Sequence, residues 1–388
     1  MKKQIIYWSL FLGIVACKKN QTTTPPPTNG GNTLPAYATE QLTPQYETDY
    51  GSGSDFAHMG SNPVTVLSSG NLIISSVQFD GAKDKLLITK TNAGGGLLWQ
   101  KTITKGFNLF SGQAFETNAG EIIIIGGSEV NSGVTSSNVY IAKLNSATGD
   151  TIWTKRYGHQ YIDKGIVGYE AADNTYWIVN FWNQNNKAAL LHIGANGDSL
   201  STIINTETSF PVYRDAMISS AKKIILVGDY YIGSYTNGVK DFSSAILLDS
   251  LDMMRVNDVC ETSDGAYVVS GEAYKSTNTA VRYGFLVKVN TSGIKVWERI
   301  IKVPGGSQIY SCIEKTPDLF YLSIGSYNAT LLYNFDMTTI HVVNSATALP
   351  GATDTQLNIK NNLLYRSEFG YNSSSYFTIK LKAYPITF

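Results

Sequence analysis

Five aspartates, Asp55, Asp163, Asp215, Asp258 and Asp354, stand where the first strand of successive sequence repeats should begin. Carboxylates gathered around one opening lower the local potential and suit a cation or a polar ligand. The local reading is that each Asp accepts hydrogen bonds from the backbone amides of its own turn, and turn chemistry favours it. A second group is aromatic. Phe79, Trp182, Tyr230, Tyr231, Tyr235, Tyr274, Tyr327 and Tyr371 follow the second strand of successive repeats, and Trp182 leads into Asn183-Gln184-Asn185-Asn186. Aromatic planes beside neutral amides suit sugars or extended peptides, which offer C–H faces and polar edges. Trp182, Tyr230, Tyr231, Tyr274 and Tyr327 are therefore the expected ligand-binding residues. The alternative is that such aromatics fold back onto the repeats that carry them.

Catalytic chemistry is poorly represented. His58, His159, His192 and His341 fall in different repeats without metal-ligand spacing, and His192 lies inside a strand-like run, ALLHIG, as a packed residue would. No GxSxG, HExxH, P-loop or dinucleotide fingerprint is present. No catalytic residue, metal or cofactor is expected. Cys260 and Cys312 sit in corresponding runs, DVCETSDG and YSCIEKTPD, where Cys serves as a small apolar residue. Free buried thiols are expected there, with a disulfide as the alternative in an exported chain. Thr262-Ser263-Asp264-Gly265 loosely resembles the Asp-box turn of sialidase-like hydrolases but lacks the residue between Asp and Gly. An Asp-Gly hairpin turn explains it better.

These residues must be positioned by a repeat of roughly fifty residues. Its second-strand element recurs as NLIISS, EIIIIGG, TYWIVNF, KIILVGD, AYVVSGE, FYLSIGS and NLLYRSE. A third-strand element follows in step: KLLITKTN, VYIAKLN, AALLHIG, SAILLDS, GFLVKVN, ATLLYNF and YFTIKLK. Each run is short, β-branched or aromatic and bounded by turn residues, which is the strand signature, and no helical period interrupts them. The last copy stops after its third strand. The stretch near Gln41 to Asp49 precedes the first copy and can supply the missing fourth strand. The fold expected is all-β, a seven-bladed β-propeller over residues 36–388 closed by an N-terminal strand. A β-sandwich pair and an eight-bladed ring are the alternatives.

The charge balance is neutral, with 30 basic and 30 acidic residues, so nothing provides the basic surface that nucleic acid requires. Charged residues are only 15% of the chain while Tyr numbers 24, a profile of uncharged polar turns and half-buried sheet faces. Lys2 and Lys3 precede an apolar run from Ile5 to Ala16, too short to span a bilayer comfortably. Ile14-Val15-Ala16-Cys17 resembles the bacterial lipobox. That resemblance implies a signal peptide over 1–16, cleavage before Cys17, and palmitate-type acyl chains on Cys17. Residues 17–35, rich in Thr, Pro, Gly and Asn, have too little apolar surface to offset chain entropy and read as a disordered tether.

GLLWQK, GDTIWTKRYG and GIKVWERI resemble the turn-plus-Trp element of quinoprotein-like propellers, in which the Trp docks on the neighbouring blade. Gly95, Gly149 and Gly293 each precede a Trp by four positions, at Trp99, Trp153 and Trp297. With TSDGAYVVSGEAY, the same segments resemble propeller-repeat lipoproteins of Gram-negative bacteria, mostly of unassigned function. A quinone dehydrogenase would carry adjacent cysteines, which are absent here. The resemblance implies the fold and the compartment, and the aromatic-lined face suggests a monomeric binding or scaffold module of the cell envelope, held to a membrane through Cys17, with a glycan or protein ligand. A carbohydrate-active enzyme with an unrecognised site is the alternative. Another is an assembly factor similar to the propeller lipoprotein of the outer-membrane insertion machinery. Surface-exported lipoproteins of some groups carry acidic residues after the Cys. Lys18 and Lys19 are basic, so the outer membrane with a periplasm-facing head is expected.

Overall fold

The computed structural model describes residues 45–50, 64–79, 84–105, 109–129, 137–158, 163–182, 187–204, 213–301, 309–316, 319–324, 329–334, 340–343, 354–360, 363–371 and 377–385. They contain strands and turns but no helix, and fall within one compact unit, Ala36–Phe388. The strands form seven four-stranded antiparallel sheets. Six are meanders of consecutive strands, beginning at Val64, Leu109, Asp163, Tyr213, Met253 and Ile309. The seventh takes three strands from the C-terminus and its outermost one, Tyr46–Tyr50, from near the N-terminus, paired antiparallel with Phe377–Pro385. The N-terminal strand thus completes the last sheet, and the fold is a β-propeller.

Each second strand is the middle of a sandwich. Ile122, Ile123, Ile124 and Ile125 are all fully buried, as are Ile224, Ile225, Leu226 and Val227. An alternating pattern would bury one face only; these continuous apolar runs bury both, against the sheets before and after. The core is accordingly a series of layers between sheets, such as the one joining Val179 and Leu190 of the third sheet to Leu226 and Tyr231 of the fourth.

Two kinds of polar contact hold successive sheets at fixed spacing. The first uses the outermost strand. Trp99 lies against Gly149 of the next sheet, where an added Cβ would stand 2.8 Å from the indole ring, and its Nε1 donates to the Ser146 carbonyl at 3.0 Å. Lys101, two residues on, pairs with Asp150 at 2.9 Å. Trp153 against Gly197 and Lys155 with Asp198 repeat the ring contact and the ion pair, without the indole hydrogen bond. The docking Trp expected from the resemblance is therefore present. Its receiving glycine belongs to the next sheet's turn, not to the Trp's own.

The second contact uses a Glu that recurs in the sequence. The inner strands of the second, third, fifth and sixth sheets place Glu116, Glu170, Glu261 and Glu314 opposite Ile122, Tyr176, Tyr267 and Phe320, each six residues on in the sequence and at the start of its second strand. Each carboxylate accepts the backbone N–H of the preceding sheet's first turn, at Ser68, Asn118, Ser220 and Ser263 respectively. The motif reads FETNAG, YEAADN, CETSDG and IEKTPD, a Glu at the end of each strand just ahead of the turn. In the fourth sheet Ile218 occupies the position.

The fourth sheet also corrects the strand assignment. SAILLDS is not its third strand. The third is Tyr231–Thr236 and the fourth is Val239–Ala245, so SAILLDS begins at the fourth strand's end and runs out of the sheet. Asn237 and Gly238, with φ of 47° and 78°, make the two-residue hairpin turn that joins them. A second two-residue turn, Asp229-Tyr230, pairs Gly228 with Tyr231 and leaves no long loop.

Each described first turn has one left-handed residue, which is Gly70, Gly120 and Gly265 in the first, second and fifth sheets, Asn174 at φ 62° in the third and Lys222 at φ 59° in the fourth. A left-handed non-glycine residue costs about 1–2 kcal/mol, partly offset by the chain freedom that glycine loses on folding. Lys222→Gly is expected to stabilise the protein by about 0.5–1 kcal/mol. Urea unfolding would measure it, and a loss of stability would mean that the Lys222 side chain contributes more than the strain.

Candidate functional site

The antiparallel order sends the turns between first and second strands, and between third and fourth, to one face of the propeller. The second-to-third connections and the crossings between sheets lie on the other. We call these the turn face and the loop face.

The five aspartates divide. Asp215 and Asp258 pair with Val227 and Ser270, the fourth residues of their second strands. Asp163 and Asp354 pair with Trp182 and Phe369, the seventh residues, and so stand three positions, about 10 Å, nearer the loop face. Asp55 lies outside the described residues. A common ring of five carboxylates at one mouth is thus not formed. Among the described residues no cluster of three or more His, Cys, Asp or Glu side chains could hold a metal.

Asp215 and Asp258 do meet, on the inner strands of neighbouring sheets, where their carboxyls hydrogen-bond to each other. Their remaining partners belong chiefly to the sheet beyond, not to their own turns. Asp215 accepts from the Val259 amide, and Asp258 accepts from the Cys312 amide at 2.7 Å and from the Ser311 side chain. Burial pushes both acids up, Asp215 furthest because the Asp258 charge adds to it. One proton is therefore shared by the pair. Adjacent to it, Cys260 and Cys312 are buried free thiols with Sγ atoms 3.4 Å apart, and the Cys260 contact together with burial raises the Cys312 thiol. The two cysteines sit one register position apart on adjacent inner strands, and one position turns a side chain to the opposite face, so they look toward each other.

The other chemistry-bearing residues are structural. His192 stacks on Trp177, ring centroids 4.1 Å apart, and its Nε2 meets Thr175 Oγ1 at 2.8 Å. Thr175 donates its hydroxyl proton to Asp173 at 2.6 Å, so it accepts from His192 and is not activated as a nucleophile. His58 and His159 lie outside the described residues, and His341 sits on the outermost strand of the sixth sheet. Asp264 takes Thr262, the Ala266 amide and Lys288, at 2.8 Å, as partners; the Lys288 ammonium in the first place holds its carboxyl down to about 2. It is the ordinary hairpin turn that its sequence suggested.

The expected aromatic site is rearranged. Tyr231 is on a strand, not a loop, and is completely buried. It packs edge-on against Tyr213 at 5.7 Å and shares a hydroxyl contact of 3.1 Å with Tyr235, also buried. The short Asp229-Tyr230 turn is the cause, because it draws the next residue into the ladder. Tyr231 cannot contribute a ligand surface. Trp182 ends the second strand of the third sheet, and Tyr327 lies outside the described residues.

Tyr230 and Tyr274, by contrast, come together. Tyr274 is the cross-strand partner of Met253, and the Tyr230 hydroxyl lies 3.6 Å from the Met253 sulfur and 3.4 Å from the Met254 amide. The two half-exposed rings flank Met253 on the loop face, across the boundary of the fourth and fifth sheets. Arg282 sits 4.3 Å from the Tyr274 ring centre and pairs with the largely buried Glu272 at 3.2 Å. Asp252 accepts from both the amide and the hydroxyl of Ser276, which stiffens the hairpin carrying Tyr274. Arg214 grips Asp229 through two bonds of 2.8 Å and steadies the turn carrying Tyr230. The result is a rigid patch of aromatic, thioether and guanidinium groups with no nucleophile among them.

No family model and no curated protein matches the chain. Solved structures match its fold. A virginiamycin B lyase from Staphylococcus aureus is 10% identical with a TM-score of 0.57, the match covering 88% of this chain and 99% of that one. YCF48 bound to D1 peptide is 10% identical with a TM-score of 0.54, covering 91% and 100%. The polysaccharide lyase Uly1 is 8% identical with a TM-score of 0.53, covering 87% and 92%.

The shared proton of the aspartate pair has a consequence for stability. A carboxyl whose folded pKa is raised binds more protons in the native state than in the unfolded chain. Stability therefore falls as pH rises from about 4, the unfolded value, through the raised folded value. Asp215→Asn keeps a donor toward Asp258 and removes that loss. It is expected to flatten the dependence of melting temperature on pH between 4 and 8 and to raise stability at pH 8 by on the order of 1 kcal/mol. A variant that melts lower than wild type at pH 8 would show that the pair is not strained by its charge.

Proposed function

We propose that the protein is a membrane-anchored binding or scaffold module of the bacterial cell envelope, its ligand an extended peptide or glycan held at the loop face. The observation that carries this reading is the convergence of Tyr230 and Tyr274 on Met253, with Arg282 over the Tyr274 ring. Aromatic and guanidinium groups of this kind are the usual anchors of binding surfaces. Similar folds carry a bound peptide in one protein and lyase chemistry in two others, so the fold does not choose between them and the site must. A glycosidase flanks its substrate with carboxyls about 5 to 9.5 Å apart, whereas Asp215 and Asp258 bond directly to each other.

The anchor rests on Lys2, Lys3, the apolar run and Cys17. In this reading the chain is cut before Cys17, acylated there and held at the outer membrane with its head in the periplasm, as a monomer without nucleic-acid partners. Cys17→Ser is expected to lose labelled palmitate and to release the protein from membranes; continued labelling would overturn the anchor.

The site is tested by screening the full chain against glycan and peptide arrays and then titrating the best probe. Tyr274→Ala with Arg282→Ala should weaken that probe tenfold or more, since such contacts are worth roughly 1 kcal/mol each. Both side chains are partly exposed, so the melting temperature should hold. Tyr231→Ala, in the core, should cost about 3–5 kcal/mol of stability. Full affinity in the Tyr274/Arg282 variant would move the ligand to another surface.

A further inference from the structure

The turn face has a property that neither the fold nor the loop-face site requires. In each of the first five sheets the outermost strand begins, just past its turn, with a large aliphatic side chain in solvent. Leu98, Ile152, Leu200, Val239 and Val296 are between 49% and 69% exposed. Single exposed aliphatics are normal on any protein. Leu98, Ile152, Leu200 and Val296 share one structural position, the bulge that opens each outermost strand, and with Val239, the first residue of the fourth sheet's outermost strand, they make a surface along one rim. A bulge in each ladder explains how they coexist with the docking residues: Leu98, Ile152 and Val296 are the extra residues just before Trp99, Trp153 and Trp297, which turn toward the next sheet.

The same rim receives the N-terminal segment. Tyr46 pairs with Ala383 and Tyr50 with Ile379, so the strand Tyr46–Tyr50 runs from the turn face toward the loop face, outermost in its sheet. Everything before Tyr46, Cys17 included, therefore joins the domain at the turn-face rim. A flexible coil of that length would span about 30 Å, short enough to hold this rim close to whatever carries the acyl chains.

The charges at the rim are neutralised internally. Lys101 pairs with Asp150, Lys155 with Asp198 and Lys295 with Asp249, at 2.9, 3.3 and 2.6 Å. The outward aliphatics stand among uncharged polar turn residues and these paired charges.

We propose that the turn-face rim rests on the lipid bilayer, with these aliphatic side chains in the headgroup–acyl boundary, and that the loop face with Tyr274 points away from the membrane. The proposal rests on the anchored reading above. The rim is weak on its own, but an acyl anchor makes its contact intramolecular and so sufficient. Because Lys101, Lys155 and Lys295 are paired, the contact is expected to depend little on anionic lipid.

The full lipidated protein in phosphatidylcholine vesicles carrying doxyl-labelled lipid provides the test. Environment-sensitive fluorophores are placed at Leu98→Cys, Ile152→Cys and Val296→Cys on the rim and at Ser276→Cys on the loop face. The rim labels should be quenched several-fold more than the Ser276→Cys label, and 0.5 M salt, roughly a 4 Å Debye length, should not change this. Equal quenching at the two faces, or stronger quenching at the loop face, overturns the orientation. Rim labels shielded from both doxyl lipid and aqueous iodide would show a second copy of the chain on the rim and overturn it equally. The anchor is read separately, by palmitate incorporation at Cys17. If that fails while rim labels on the unacylated protein are still quenched, the anchored reading falls and the membrane-facing rim stands.

Discussion

A four-stranded sheet that buries both of its faces can exist only between two neighbours, and every other feature of this protein follows from meeting that condition repeatedly. Ile122 to Ile125 have no solvent side at all. Apolar packing supplies the drive but is non-directional, so it does not set the angle or height at which one sheet meets the next. The directional contacts do. An outer Trp against a turn glycine fixes the spacing at the rim, and a Glu at the end of the inner strand grips the preceding turn's amide nearer the axis. A carboxylate bonded to a backbone N–H is stronger than a neutral pair, and its geometry tolerates little sliding.

Where a sheet lacks one of these contacts, others take its place. The fourth has Ile218 at the Glu position and Phe242 at the Trp position. Its contact with the third sheet is carried by the Tyr169 hydroxyl on Asn237, in the two-residue turn, and by Trp177 and Ile203 close against Gly238. Its contact with the fifth falls to Asp215 on Val259, beside Asp258, and to Ser220 on Glu261. Setting two acids against each other at a half-buried seam is a costly way to join sheets, and it is bearable because they share a proton and their other partners are backbone amides and the Ser311 side chain.

How much of this could be read beforehand depended on whether the controlling interaction was local. All seven second-strand runs are strands, because a β-branched run between turn residues has few other options. Six of the third-strand runs are too. SAILLDS failed because its hydrophobic pattern resembles a strand, while the stronger local signal, Asn237-Gly238, lay seven residues earlier and defines a hairpin by itself. That slip carried Tyr231 from core to surface. The aspartates were misaligned for a related reason: a bulge precedes both Asp215 and Asp258 on their strands, so sequence distance to the next landmark does not measure height along the strand. The Glu latch was fully visible as a repeated letter, but its partner is an amide some fifty residues away, which no pattern within one repeat displays.

Placing Tyr230 and Tyr274 together needed that long-range information as well, since they belong to different sheets and meet only through Met253. The site exists because of the same truncation that displaced Tyr231. A normal loop between second and third strands would stand above the fourth sheet. The two-residue turn instead lowers Tyr230 until its hydroxyl reaches the start of the fifth sheet's inner strand. The turn face shows the opposite economy. There the hairpins are short, alike from sheet to sheet and hydrogen-bonded within themselves, so little is free to adapt to a ligand. Regularity, with its repeated outward aliphatic, lies on the face where the chain's N-terminal segment joins. A surface built from a repeated side-chain position suits something flat and uniform, whereas the single convergence of Tyr230 and Tyr274 on Met253 suits something particular.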